Sequence, residues 1–391
     1  MRIAVLTSLF PSRERPNEGV FAQRRWNAMK RRGHSVRVVH PLPWAPPFGP
    51  AHWRELRAMQ EREERAGIGI ERPRYAHLPR RALGNARAFA SAGLARLESG
   101  ERFDVLVADY AWPAAAAATE CARRGWPLVI SGRGSDVLAV AELPQLRAVL
   151  ADALRSAGAW CAVSEHLVRA MDELAGEPRG VLVANGVDGE LFRPRDAAQA
   201  RRELGLPLEP RVVLVVGHLI ERKDPLLALE VFARACGAAQ APAKLVFIGR
   251  GPLEAELRAK IAQAGLEQRA QLIGEAAPEQ LAHWYCAADA LLLTSTREGR
   301  PNVVLEALSS GLPVLATDAG GTRELLESDP RMLATSRDPQ ALAAQLNALL
   351  ASAREPHKLR ALAERWSWDG ACSALEALLE RAIAARGGPA R

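Results

Sequence analysis

The sequence predicts an α/β protein of two domains, each built on a mostly parallel sheet with helices on both faces. Three observations predict it. Short Val/Ile/Leu-rich runs recur along the whole chain, each is followed by a longer amphipathic stretch, and 391 residues suit two domains of about 150–200 residues better than one. Uninterrupted apolar runs mark strands buried on both faces, and their alternation with helical stretches marks parallel βαβ units.

In the first half the strand candidates are RIAVLT (2–7), SVRVVH (35–40), DVLVAD (104–109), PLVIS (127–131), AWCAV (159–163) and GVLVA (180–184). The second half supplies VVLVVG (212–217), KLVFIG (244–249), AQLIG (270–274), ALLLTS (290–295) and PVLAT (313–317), with PLLALEVFARAC as the helical stretch after the first. The join falls near 195–210, where FRPRDAAQARRELGLPLEP sets three prolines around a short helical piece. This gives an N-terminal domain over 1–195 and a second over 196–365. After residue 338 the chain reads as helix, and Trp366 and Trp368 open a last amphipathic helix over 366–391. Open parallel sheets bind ligands beyond the carboxyl ends of their strands, so two facing domains are expected to hold the site at their interface. Fold class does not settle the chemistry.

Composition narrows the class. Apolar residues make up 48% and charged residues 25%, a globular profile. Cys121, Cys161, Cys236, Cys286 and Cys372 lie far apart with no C-x-x-C pair, which suits buried thiols in a reducing cytoplasm rather than a disulfide frame or a zinc site. MRIAVLTSLF reads as a first strand and not a signal peptide. No apolar run approaches the roughly 18 residues of a spanning helix. The formal charge is +7, and it is uneven: residues 1–195 hold 29 Lys/Arg against 21 Asp/Glu, the remainder 23 against 24. The excess reads either as arginine-rich composition or as a surface that meets phosphates or anionic lipid.

The stretch TSTREGRPNVVLEALSSG (294–311) carries the most chemistry. Glu298 sits in the loop after a strand, Pro301 suits the first residue of a helix, and Glu306 lies inside that helix. The free N–H groups of the first turn form an anion site. Carboxylates on either side of a helix start suit a hydroxyl-rich ligand, because they accept paired hydrogen bonds. Alone, two such glutamates read as a solvated face.

The stretch resembles the E-x7-E signature of retaining glycosyltransferases of family 4, which have the GT-B fold of two Rossmann-like domains facing across a cleft. PVLATDAGGTREL (313–325) is similar to that family's next segment. VVGHLIERKD (215–224), FIGRGP (247–252), LIGEAAPEQLAHWYCAADALLLTS (272–295), ANGVDGELFRP (184–194) and the N-terminal PNEGVFAQRRW with RRGHSVRVV follow its order. The resemblance covers nearly the whole chain, is nearest to members that build bacterial surface polysaccharides, and implies a C-terminal helix that crosses back to the first domain.

It also implies roles. Glu298 would hold donor-sugar hydroxyls and Glu306 the ribose diol. Lys223 and Arg222 would neutralise the diphosphate, with backbone amides near Gly299, Arg300, Pro301 and Asn302. Gly19 would let backbone approach the diphosphate from the other domain, and Gly249, Gly251 and Ile273 are further nucleotide candidates, each also readable as purely structural. The chain departs from the pattern in three places: His218 stands where many members have arginine, Glu18–Gly19 replaces a glycine pair, and Arg133-Gly134-Ser135-Asp136 replaces His-Gly-x-Asp. Arg133 cannot be a general base, with a pKa above about 12. It is placed to bind an acceptor phosphate or the departing diphosphate.

There is no D-x-D and no cluster with metal-ligand spacing, so neither a metal nor another cofactor is expected. The partners implied are a nucleotide-sugar donor and a saccharide or lipid-linked acceptor, not nucleic acid. Trp44, Phe48, Trp53, Leu56 and Met59 are interleaved with arginines in the 41–90 segment, and Arg24, Arg25, Arg31 and Arg32 precede it. Together they read as a peripheral membrane surface or as an ordinary insertion with an aromatic core. A sugar-nucleotide epimerase and a phosphorylase are the rival enzymes of similar fold.

Overall fold

The computed structural model describes residues 1–236 and 243–386. The chain divides into two compact units: Met1–Gly186 together with the chain from Trp368, and Val187–Ser367. Every run read as a strand from the sequence forms one; RIAVLT and AQLIG match residue for residue, and the others are shifted or trimmed at their ends.

The first unit holds β1 (Arg2–Thr7), β2 (Ser35–Val39), β3 (Leu42–Pro43), β4 (Arg62–Arg65), β5 (Ile68–Glu71), β6 (Arg74–Tyr75), β7 (Val105–Asp109), β8 (Leu128–Gly132), β9 (Ala159–Ala162) and β10 (Val181–Leu182). Its main sheet runs β10-β9-β8-β7-β1-β2-β5-β4, and β3 pairs with β6 alone. All neighbours are parallel except β4 and β5, which form an antiparallel hairpin. Ala66 and Gly67 turn this hairpin with φ of 49° and 73°, the left-handed pair that a two-residue turn demands. The hairpin escapes the sequence reading because β4 is the charged run REER at a sheet edge, where charges guard against further pairing.

The second unit holds β11 (Arg211–Val216), β12 (Ala243–Ile248), β13 (Ala270–Gly274), β14 (Ala290–Leu293), β15 (Val314–Thr317) and β16 (Leu333–Ala334), in the all-parallel order β13-β12-β11-β14-β15-β16. The strand order reverses between β11 and β14, so the crevice for a ligand lies beyond the carboxyl ends of these two strands. In the first unit the reversal lies between β1 and β7.

The division differs from the join expected at 195–210, which falls inside the second unit. Asp196 caps the helix Ala197–Glu203, and Arg201 of that helix donates to the Ala287 carbonyl at 2.9 Å and to Asp289 at 2.7 Å. These bonds fasten the segment to the second unit. The last helix, Trp368–Ala384, belongs to the first unit, where Leu375, Leu378 and Leu379 share a core with Ile3, Val5, Trp26 and Val105. Trp366, expected to open that helix, stays in the second unit.

Candidate functional site

Because β11 and β14 are neighbours, the loops that leave them, 217–224 and 294–300, emerge side by side. They are cross-braced. The Thr296 amide donates to the Arg222 carbonyl at 2.8 Å, the Thr294 hydroxyl to the Asp224 carbonyl at 2.8 Å, and Arg222 to the Arg297 carbonyl at 2.9 Å. Within this frame Glu298 is buried, and its carboxylate accepts from Lys223 Nζ at 2.5 Å, Ser295 Oγ at 2.6 Å and Arg222 Nη1 at 3.4 Å. Burial opposes the charge, but Lys223 above all, with Ser295 and Arg222, leaves the carboxyl below its ordinary pKa. A ligand carrying both hydroxyls and an anion therefore finds an ionised acceptor and two cations at one place.

The helix after this loop is Asn302–Ser309, and Pro301, expected as its first residue, is its N-cap with extended backbone, so the helix starts one residue later. Glu306 lies inside the helix, buried, and accepts from the Tyr285 hydroxyl at 3.2 Å. Arg300, just before the helix, turns its side chain into the unit. Its side chain is fully covered, bonds Glu324 at 3.1 Å and stacks 3.7 Å from the centroid of the Trp366 ring. Burial lowers its pKa to about 10. Only its backbone remains for an anion.

Two glycine candidates, Gly249 and Gly251, lie hard against the backbone of the neighbouring loop. A Cβ on Gly249, at φ 146°, would meet the Gly217 carbonyl oxygen at 2.0 Å, and one on Gly251 the Leu219 carbonyl oxygen at 2.3 Å. The turn therefore packs on the start of the loop that leads to Lys223. Ile273 is half-buried in β13, beside this turn through the bond from the Gly249 amide to the Gly274 carbonyl. His218 is exposed.

In the first unit Gly19 has φ 75° and caps the helix Val20–Arg31, and a Cβ there would lie 2.7 Å from the Leu9 carbonyl carbon. The loop after β1 thus closes on itself only with glycine at this position. Arg133 differs from expectation. Its guanidinium is buried, bonds both oxygens of Asp109 at 2.8 Å, and bonds Asn185 at 2.8 Å. Asp109 also accepts from Trp26 at 2.7 Å; burial opposes its charge, but Arg133 holds its carboxyl low. With its charge matched inside the unit, Arg133 is built as a brace rather than a phosphate ligand. Asp136 takes amide bonds from Arg133, Gly134 and Ala111, and burial pushes its carboxyl up to about 6.

The basic surface expected on 24–32 does not hold together. Arg25 is buried against Ser131 and the Val183 carbonyl, and Arg32 is paired with Glu376 at 2.7 Å. Leu56 and Met59 are core of a small cluster with Leu42 and Ala45, whereas Trp44 and Phe48 are exposed.

The sequence reading missed Ser295, Tyr285 and Gly320. A Cβ on Gly320, at φ 54°, would sit 1.9 Å from the Glu298 carbonyl oxygen. The Gly-Gly of TDAGGT, following a buried strand, was the available signal for a close backbone approach. A cavity of about 300 Å³ opens elsewhere, at the amino ends of the same strands, lined by Arg211, Asp289, Met332, Leu350 and Leu362. It lies at the wrong end of the sheet for the chemistry above. Among the described residues no group of three or more His, Cys, Asp or Glu is placed to hold a metal, and no helix is long and apolar enough to cross a membrane.

Comparison with known proteins identifies the family and the fold. The family model described as glycosyl transferases group 1 matches residues 182–366, and that described as glycosyltransferase family 4 matches 20–191. The glycosyltransferase TuaC of Bacillus subtilis, named for teichuronic acid biosynthesis, is 31% identical over 358 residues, 88% of this chain and 87% of that protein. The D-inositol 3-phosphate glycosyltransferase of Frankia alni is 31% identical over 68% of this chain and 70% of that protein. Among solved structures, sucrose-phosphate synthase from Thermosynechococcus elongatus superposes with a TM-score of 0.80 at 19% identity, covering 98% of this chain and 100% of that one. HepE of Anabaena, in complex with UDP, gives 0.74 at 20% identity over 97% and 100%. These two likenesses establish the shared fold.

Proposed function

The chain belongs to the group 1 glycosyltransferases of family 4, and on that footing we propose that it moves a sugar from a nucleoside diphosphate donor to an acceptor hydroxyl with retention at the anomeric carbon. The observation that carries this reading is the meeting of Lys223, Arg222 and Glu298 at the strand-order reversal, beside the start of a helix. Lys223, Arg222 and the amides of Gly299, Arg300 and Asn302 take the diphosphate, whose charge grows as the bond to the sugar breaks. Glu298, held ionised, accepts from donor-sugar hydroxyls and is unsuited to giving up a proton. Glu306, oriented by Tyr285, accepts from the ribose diol.

The reaction is front-face. The anomeric carbon–oxygen bond to the phosphate breaks, the acceptor oxygen forms its bond on the same face, and the acceptor's proton passes to the departing phosphate. No step requires a metal or another cofactor. Structural neighbours solved with UDP, and with UDP-glucose, support a uridine nucleotide donor. TuaC supports a place in bacterial cell-surface polysaccharide synthesis. The two sequence relatives named above are glycosyltransferases rather than epimerases or phosphorylases. A lipid-linked acceptor at an anionic membrane surface is favoured by Trp44 and Phe48, which are exposed together with Arg54 and Arg57.

The test is a donor-hydrolysis screen with UDP-, GDP- and ADP-sugars in the presence of EDTA, because slow hydrolysis needs no acceptor. Release of free sugar from one donor class, retained in EDTA, is expected. No hydrolysis and no nucleotide binding overturns the reading, and a loss restored only by magnesium overturns its metal-free part. Co-sedimentation with phosphatidylglycerol vesicles, lost on Trp44→Ala and Phe48→Ala, tests the membrane surface.

A further inference from the structure

We propose that Arg337, in the loop after β16, is a positioning residue that fixes the spacing between Lys223 and Glu298; this deepens the reading above and rests on it. Its guanidinium spans the two loops that carry those residues. Nη1 donates to the carbonyls of Thr294 at 2.6 Å and Ser295 at 3.0 Å, and Nη2 to Asp224 Oδ2 at 2.6 Å. Asp224 adjoins Lys223, and Ser295 is the residue whose hydroxyl bonds Glu298.

Both ends of this bridge are held where the backbone would otherwise relax. Asp224 has φ 46°, a left-handed conformation that few residues other than Gly, Asn and Asp adopt, and its other oxygen caps Leu227 at 3.1 Å. The Ser295 carbonyl takes a second bond from the Thr317 hydroxyl at 2.6 Å, so β15 steadies the same turn. A rigid planar fork reaches two loops at once, which a lysine ammonium on a flexible stem cannot reproduce. The Arg337 side chain is about one-third exposed, at 37%, so its removal opens no core cavity. Its hydrogen bonds go to the neighbours of Lys223 and Glu298, so it acts through them.

The experiment compares wild type, Arg337→Ala and Arg337→Lys in donor hydrolysis across pH, using whichever of UDP-glucose, UDP-N-acetylglucosamine and GDP-mannose the wild type hydrolyses. Arg337→Ala is expected to lower kcat by about 10²-fold, the scale of a misplacement near 1 Å, with KM changed less than threefold. Its acid limb, set by ionisation of Glu298, should move up in pH as Lys223 draws away. Arg337→Lys should fall between the two and carries the test if the alanine variant does not fold. Wild-type kcat in Arg337→Ala overturns the proposal. A lower kcat with an unmoved acid limb also overturns it, since that marks general loosening. A wild type that hydrolyses none of the donors and binds no UDP or GDP overturns the functional reading first, and this proposal with it.

Discussion

Lys223 Nζ stands 2.5 Å from Glu298 Oε1, so the cation assigned to the donor's diphosphate is paired with the carboxylate assigned to its sugar. Glu298 therefore tethers the cations that a nucleotide needs. Glu298→Gln should leave binding of free UDP unchanged or tighter, because Lys223 and Arg222 lose a competitor, while donor turnover drops by about 10²-fold or more. Titration calorimetry and a hydrolysis assay separate the two effects. Weaker UDP binding would place Glu298 on the nucleotide.

Glu306→Ala should weaken free UDP by about 1.5–3 kcal/mol, the worth of hydrogen bonds to a charged group. Tyr285→Phe removes only the 3.2 Å bond that orients the carboxylate and should cost about 1 kcal/mol. Affinity within twofold of wild type for Glu306→Ala would remove the ribose assignment.

Gly320→Ala combines a left-handed backbone with a Cβ 1.9 Å from the Glu298 carbonyl oxygen. Gly125, at φ 70° with no atom within 4 Å of its Cβ position, supplies the matched control. Gly125→Ala should cost about 1 kcal/mol in thermal unfolding from backbone strain alone. Gly320→Ala should cost clearly more and lose most of kcat. Equal costs would mean that the contact with Glu298 yields easily.

His40 is buried, and desolvation, with Arg72 next, lowers its pKa to about 3, against a backbone bond with Ser8. A base depressed in the folded chain makes the unfolded chain bind more protons between pH 3 and 6.5. Its contribution to stability is therefore complete above pH 6.5 and is lost as pH falls, by about 2 kcal/mol at pH 5. Tm should fall between pH 7 and 5 more steeply in wild type than in His40→Gln. Parallel slopes would mean that His40 is not what resists acid.

The parallel strands were legible because they are buried on both faces, and a run such as ALLL or VLVAD leaves little else to be. The loops after β11 and β14 were legible as a site only through the resemblance of their residues to a family pattern, since alone the two glutamates read as a solvated face. Arginine was where the sequence misled. Arg133 and Arg25 read as anion-binding or surface charge and Arg300 only as a backbone position, yet each side chain lies in a unit's interior, its charge or donors met by Asp109, Ser131 and Glu324 respectively. Such partners lie 24 or more residues away in the chain, and spacing along a sequence carries no trace of them. The hairpin of β4 and β5 was hidden for a related reason, since half of it is charge.

The last helix has a consequence for how the molecule is made. Ile3, Val5 and Trp26 share their core with Leu375, Leu378 and Leu379, so these early residues wait for partners made after the second unit. The second unit, contiguous from Val187 to Ser367, emerges whole before those partners arrive. Completion order thus departs from chain order: part of one apolar face of the first unit's sheet stays uncovered until the whole of the second unit has been made.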